Sequence, residues 1–176
     1  EMGDSDTKGE IAKTVVECKP LSFDPDTLPS QAGRLEKTYY AGTKKFRDTN
    51  FIYKKGKGEL LEFASETDSR AKTILKWPLA NGNRWQTRMG GGLFQYEIIG
   101  TGLSVKVAAG EFHDCIKVKS YIEGTQGNRF EYYAPDVGPV LITLGGRDGE
   151  KRNTELLLYK IGEMPNFESG AQTQKR

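Results

Sequence analysis

Histidine occurs once in this 176-residue chain, as His113, and cysteine twice, as Cys18 and Cys115. One histidine and two distant cysteines cannot fill a closed zinc site without unusual carboxylate ligands, so no metal is expected, and no other cofactor either. No apolar run approaches the roughly 18 residues that a membrane-spanning helix needs. The net charge of +2 is small, and no interleaving of aromatic and basic residues marks a nucleic-acid motif, so nucleic acid is not expected as a partner. Sustained 3.6-residue periodicity is missing as well, which argues against a βαβ fold. Hydrophobic content is low at 36%. The expected core is therefore thin, as in a single curved sheet closed on itself or covered on one face.

What the chain does have is alternation. From Trp77 to Tyr159, short segments of alternating apolar and polar residues are separated by Gly, Asn and Asp. That is the pattern of antiparallel strands with one buried face. Strands are predicted over 35–41, 46–54, 59–65, 71–76, 84–89, 93–101, 103–108, 115–123, 128–134, 140–144 and 154–161. Glycine-rich linkers such as Lys55-Gly56-Lys57-Gly58 and Gly90-Gly91-Gly92 separate them and supply the positive φ of tight hairpins. The expected fold is all-β: an antiparallel meander of about ten strands, curved into a half-barrel or open barrel.

Three parts are expected along the chain. Residues 1–34 form an N-terminal arm and a proline-rich wrapping segment packed across the body, residues 35–162 the β domain, and residues 163–176 a flexible tail. Within the arm, 10–17 reads equally as a short strand or a helical turn, while Pro20, Pro25 and Pro29 oppose regular structure over 19–33. The polar start at Glu1 fits a protein whose export signal, or membrane tether upstream of Glu1, has been removed.

The chemistry-bearing residues are sparse. Phe112-His113-Asp114-Cys115 invites a nucleophile reading, but strand neighbours point to opposite faces, so His113 and Cys115 share a face that Asp114 does not. Nothing nearby announces an orienting group or an oxyanion site, and no catalytic residue is assigned. Glu97, Glu131 and Glu155 have the residue type for a glycosidase pair, although a solvated face explains them better. The basic residues Lys44, Lys45, Arg47, Lys54, Lys55 and Lys57 read as the soluble edge of a sheet. Cys115 alternates with Lys117 and Lys119, opposite Ile116 and Val118, unless a bulge intervenes. Cys18 and Cys115 either close a disulfide in an exported protein or stay as thiols in a reducing compartment. Among the aromatics, Tyr40, Tyr53, Trp85, Tyr96 and Tyr132 are the candidates to line a concave binding face. In Tyr132-Tyr133 one ring points to each side of the strand.

Three motifs carry a resemblance: Trp77-Pro78-Leu79-Ala80-Asn81-Gly82-Asn83-Arg84-Trp85, the stretch from Val105 through Gly110-Glu111-Phe112 to Val118, and Glu131-Tyr132-Tyr133-Ala134-Pro135-Asp136-Val137-Gly138-Pro139-Val140. In their order and spacing this half of the chain resembles a family of uncharacterised bacterial exported proteins, many of them lipoproteins, described as TapB-like. The resemblance implies a mostly β, extracytoplasmic domain (periplasmic, surface or secreted) without assigned catalytic residues. Pro139 departs from that pattern and marks a strand start or an edge. The expected function is a non-catalytic binding or assembly module of the cell envelope, acting through a sheet edge or its concave face on a protein partner or on itself. The alternative is a carrier or sensor of a hydrophobic small molecule.

Overall fold

The computed structural model describes residues 12–20, 32–41, 43–64, 70–125 and 127–161. Side chains are described for 37–41, 43–45, 47, 57–64, 70–125 and 127–160. Every described element is a strand: β1 Ala12–Pro20, β2 Ala32–Ala41, β3 Lys44–Gly56, β4 Glu59–Phe63, β5 Lys72–Lys76, β6 Arg84–Met89, β7 Gly92–Val107, β8 Gly110–Ile122, β9 Asn128–Ala134, β10 Gly138–Gly146 and β11 Gly149–Ile161. The alternation that predicts them is visible in their burial. In β6, Trp85 and Thr87 are buried while Arg84, Gln86 and Arg88 are exposed. Asp136, at φ 60°, and Gly138, at φ 94°, turn the chain between β9 and β10, and Pro139 stands at the start of β10, where its missing donor costs no central ladder bond.

The strands follow one hydrogen-bonded order, β5-β4-β3-β2-β1-β11-β10-β9-β8-β7-β6. All neighbours are antiparallel except β1 and β11, which run parallel from Ala12 opposite Thr154 to Cys18 opposite Ile161. β1 therefore lies inside the sheet and not across its face. It joins two meanders, β2–β5 and β6–β11. β3 is likewise internal, between β2 and β4, so the exposed Lys44, Lys45 and Arg47 do not protect an edge as expected. Strand β7 is one long element where the sequence predicts two.

The sheet curls until its ends meet. Ile74 and Leu75 of β5 pack with Trp85, Tyr96, Ile98, Ile116, Val118 and Tyr133 from β6–β9, which makes this concave face a lumen. Ile98 is 0% and Val118 2% exposed; a fully buried aliphatic side chain of this size contributes about 1.5–3 kcal/mol. No ladder joins β5 to β6, so the barrel stays open at this seam. A second core lies beside the first. There the β7–β8 hairpin folds back over β9–β11, placing Val105, Val107 and Cys115 against Ala134, Val140, Leu141 and Leu156. The Ala109 N–H donates to the Leu156 carbonyl at 2.9 Å, and Arg152 donates to the Lys106 carbonyl at 2.7 Å.

Bulges make this fold-back. Register shifts fall between Ile98 and Gly100, Gly100 and Leu103, and Leu103 and Val105, with Gly102 at φ 67° and Asp114 at φ 55°. Each extra residue bends the strand and resets which side chains share a face. Because the fold-back covers a second face, Cys115 and Ile116, which alternation points to opposite sides, are both buried, one in each core. Tyr132 and Tyr133 divide in the same way.

Candidate functional site

The lumen holds charge at one end. On β9, Arg129 Nε donates to Glu131 Oε1 at 2.9 Å and the Tyr133 hydroxyl donates to Glu131 Oε2 at 2.6 Å. Register opposite Val118 puts Glu131 on the concave face, where it is only 8% exposed. Across the lumen stand Lys37 from β2 and the Lys72–Glu62 pair, 3.8 Å apart, from β5 and β4. Burial pushes the Glu131 carboxyl up, but Arg129, Lys72, the Tyr133 hydroxyl and Lys37 outweigh it and hold the group below the usual carboxylate range. Burial lowers the Lys37 ammonium, against the opposing pull of Glu62 and Glu131. Burial, reinforced by Glu131 and Glu62, drives the Tyr96 phenol well above its ordinary value, so it stays neutral. Three cations and two carboxylates thus gather at one end of the lumen, with Lys37 and Glu131 buried and the Arg129 side chain reaching solvent.

Beside this cluster sits an aromatic stack, Trp85 on Tyr96, with centroids 5.4 Å apart and planes inclined by 6°. The Trp85 indole N–H also donates to the Thr73 carbonyl of β5 at 3.0 Å. One side chain of β6 therefore spans the seam to β5. Asn83 Nδ2 donates to the Lys76 and Pro78 carbonyls at 2.6 and 2.8 Å, closing the connection between the two edges beside the cis Trp77–Pro78 peptide. On the convex side the seam opens into a groove of about 400 Å³, lined by Glu59, Thr73, Lys76, Arg84, Gln86 and Gln95 over Trp85. The space beside Lys37, Tyr39 and Thr154 is much smaller, about 20 Å³, room for a single water.

Of the candidate ligand-binding aromatics, the structure brings Trp85 and Tyr96 together. Tyr132 lies on the other side of β9, its hydroxyl donating to Glu150 Oε2 at 3.0 Å. Tyr40 is half-buried on β2, opposite Lys13 of β1. Tyr53 lies outside the described side chains. Tyr133, not Tyr132, joins the lumen. Around Glu150 a second polar cluster forms: Thr143 donates at 2.7 Å, and Lys117 pairs with the carboxylate while its ammonium lies 4.7 Å from the Phe130 ring centre and 5.1 Å from that of Tyr132. Burial raises the Glu150 carboxyl, but Lys117, Thr143 and Tyr132 bring it below its ordinary value.

The nucleophile motif does not assemble. The bulge at Asp114 turns Cys115 into the second core at 0% exposure while His113 stays exposed, so the two do not share a face. The Cys115 thiol donates to the Phe112 carbonyl at 3.6 Å, and burial together with Asp114 pushes it up, away from the reactive thiolate. Cys115 carries a free thiol and not a bridge to Cys18, whose side chain lies outside those described. Strands β11, β10 and β9 stand between β1 and β8 in the sheet. His113 Nδ1 instead lies 3.0 Å from Ser104 Oγ across the hairpin, a pairing sequence reasoning missed because it depends on the bulged register. The three glutamates do not converge. Glu97 pairs with Arg84 at 2.9 Å, Glu155 with Arg152 at 2.9 Å, and Glu131 is buried in the lumen. No group of three or more potential metal ligands occurs among the described residues.

Fold and geometry define an all-β protein built on one open, curled sheet with two cores and a charged lumen. No family, no curated protein and no solved structure matches the chain.

Proposed function

We propose that this chain is a non-catalytic, extracytoplasmic binding and assembly module that holds a polypeptide partner at the edge of its sheet. One observation carries the reading: the two ends of the sheet, β5 and β6, face each other without a ladder beside a groove of about 400 Å³. An extended peptide laid along a strand edge gains main-chain hydrogen bonds and has its alternate side chains read by the flanking residues. Lys76 and Arg88 are exposed at the two edges, and Gln86 and Gln95 stand paired across β6 and β7. That rim suits an acidic segment. Placement outside the cytoplasm rests on the sequence resemblance alone. The alternative, a carrier of a hydrophobic small molecule, is favoured by the Trp85–Tyr96 stack. It is opposed by a lumen whose apolar end is packed with the chain's own side chains.

The test is calorimetric titration with a synthetic peptide of alternating Glu and Thr, alongside amide hydrogen exchange. Binding that weakens with salt, drops about tenfold in Arg88→Glu and protects amides of β5 or β6 is expected. No heat and no protection at those edges would sink the proposal.

A further inference from the structure

Lys44, Lys45 and Arg47 are exposed and, because β3 is internal, have no sheet edge to protect. Strand directions show what they stand beside. β1 and β11 run parallel, Ala12 opposite Thr154, so both begin at one end of the sheet. Every other neighbouring pair is antiparallel. The β2–β3, β6–β7, β8–β9 and β10–β11 turns, far apart in sequence, therefore all fall at that end. Since the sheet curls until β5 packs against β6, these turns ring one mouth of the lumen.

Positive charge gathers there. Besides the three cations of the β2–β3 turn, Arg88 stands near the end of β6, Arg129 near the start of β9, and Arg147 and Lys151 flank the β10–β11 turn, all of them exposed. Among the described residues of these turns, the exposed carboxylates are Glu123, Asp148 and Glu150. Asp148 pairs with Lys151 and Glu150 with Lys117. The end is left clearly cationic in a chain whose net charge is only +2. Apolar side chains are set among the cations. Leu144 is 45% exposed and stands in register between Arg129 of β9 and Lys151 of β11. Met89 is 40% exposed and follows Arg88 at the β6–β7 turn. A soluble polyanion would engage the cations and leave both apolar side chains in water. An anionic bilayer takes both kinds of group, because its headgroups attract Lys and Arg while apolar side chains enter the acyl boundary.

We propose that this end of the molecule docks on an anionic lipid surface, with Leu144 and Met89 entering the bilayer boundary and the basic turns around them meeting the headgroups. The strands then stand with their turns toward the bilayer. The groove at the β5–β6 seam stays open, because Glu59 starts β4, Lys76 ends β5 and Arg84 starts β6, which places its lining toward the opposite end of the strands. Lipid and polypeptide partner are held at different places, so the inference goes beyond the binding reading above and does not depend on it.

The test is sedimentation of the full chain with vesicles of equimolar phosphatidylcholine and phosphatidylserine, against vesicles of phosphatidylcholine alone. Binding to the mixed vesicles only, weakening as salt is added, is expected. Lys44→Glu with Lys45→Glu should weaken it about tenfold or more, and should leave the acidic-peptide titration of the seam unchanged. Arg147→Glu repeats the charge test in an exposed turn where no packing is disturbed, and circular dichroism checks that each variant keeps the fold. Leu144→Asn should weaken vesicle binding without altering binding to dextran sulfate, a soluble polyanion. No binding to the mixed vesicles at low salt overturns the proposal, as does equal binding to phosphatidylcholine alone. Tight binding to dextran sulfate together with vesicle binding that Leu144→Asn leaves intact also overturns it, and makes this end a site for a soluble polyanion instead.

Discussion

Glu131 is the carboxylate toward which the charged belt of the lumen converges. Arg129 and Tyr133 hold it directly, at 2.9 and 2.6 Å, and the charges of Lys72 and Lys37 favour its ionised form. Glu131→Gln leaves three cations facing the single carboxylate of Glu62. Removing one partner of a fully buried ion pair costs about 3–5 kcal/mol; the Arg129 side chain reaches solvent, which screens the pair, and a loss of about 2 kcal/mol is expected in urea denaturation at neutral pH. The folded-state pKa of Glu131 is depressed, so its contribution is complete above the ordinary carboxylate range and is lost as pH falls through the lowered value. Glu150, also depressed, acts in the same direction. Stability measured from neutral toward acid pH should therefore fall, and fall less steeply in Glu131→Gln. At Cys115 the expectation concerns reactivity. The thiol should resist labelling in the native protein, and both cysteines should react in denaturant without reductant. A disulfide count of one would contradict the free thiol described here. Glu131 and Cys115 also show how far single residues can be read from sequence. Period-2 alternation separates two faces of a strand but does not say which is covered, so Glu131 reads as solvated when it is buried, and Cys115, which does share a face with Lys117, gives no sign that a second core lies over it.

At the scale of elements the strands themselves were legible. Strands over 84–89 and 128–134 fall where alternation and flanking turn residues put them, because local backbone preference and burial agree there. Two features were not. β1 takes its neighbours from the far end of the chain and from across a long connection, and no local pattern encodes a parallel partner. The fold-back of β7 and β8 depends on single inserted residues, which change register without disturbing composition. Asp114 is where that geometry is most exposed to substitution, since it sits at φ 55°. Asp114→Val places a β-branched side chain in left-handed backbone, at a cost of about 1–3 kcal/mol, whereas Asp114→Gly should be neutral or stabilising. Thermal denaturation distinguishes them. A Val variant as stable as Gly would mean that the bulge does not set the strand's passage between the two cores.

For the molecule as a whole, the sheet is curled far enough to bring its ends together but not laddered shut, and Trp85 crosses the remaining gap. Trp77, the other tryptophan of the chain, is 39% exposed, while Trp85 is 7% exposed and stacked on Tyr96. The protein thereby carries a built-in optical reporter. With Trp77→Phe the remaining emission arises from Trp85 alone, and it should be blue-shifted at rest. Parting β5 from β6 would remove the Thr73 contact and wet the indole, moving that emission to the red while far-UV circular dichroism stays unchanged. The state of the seam can thus be followed by its colour, without attaching a dye to the protein.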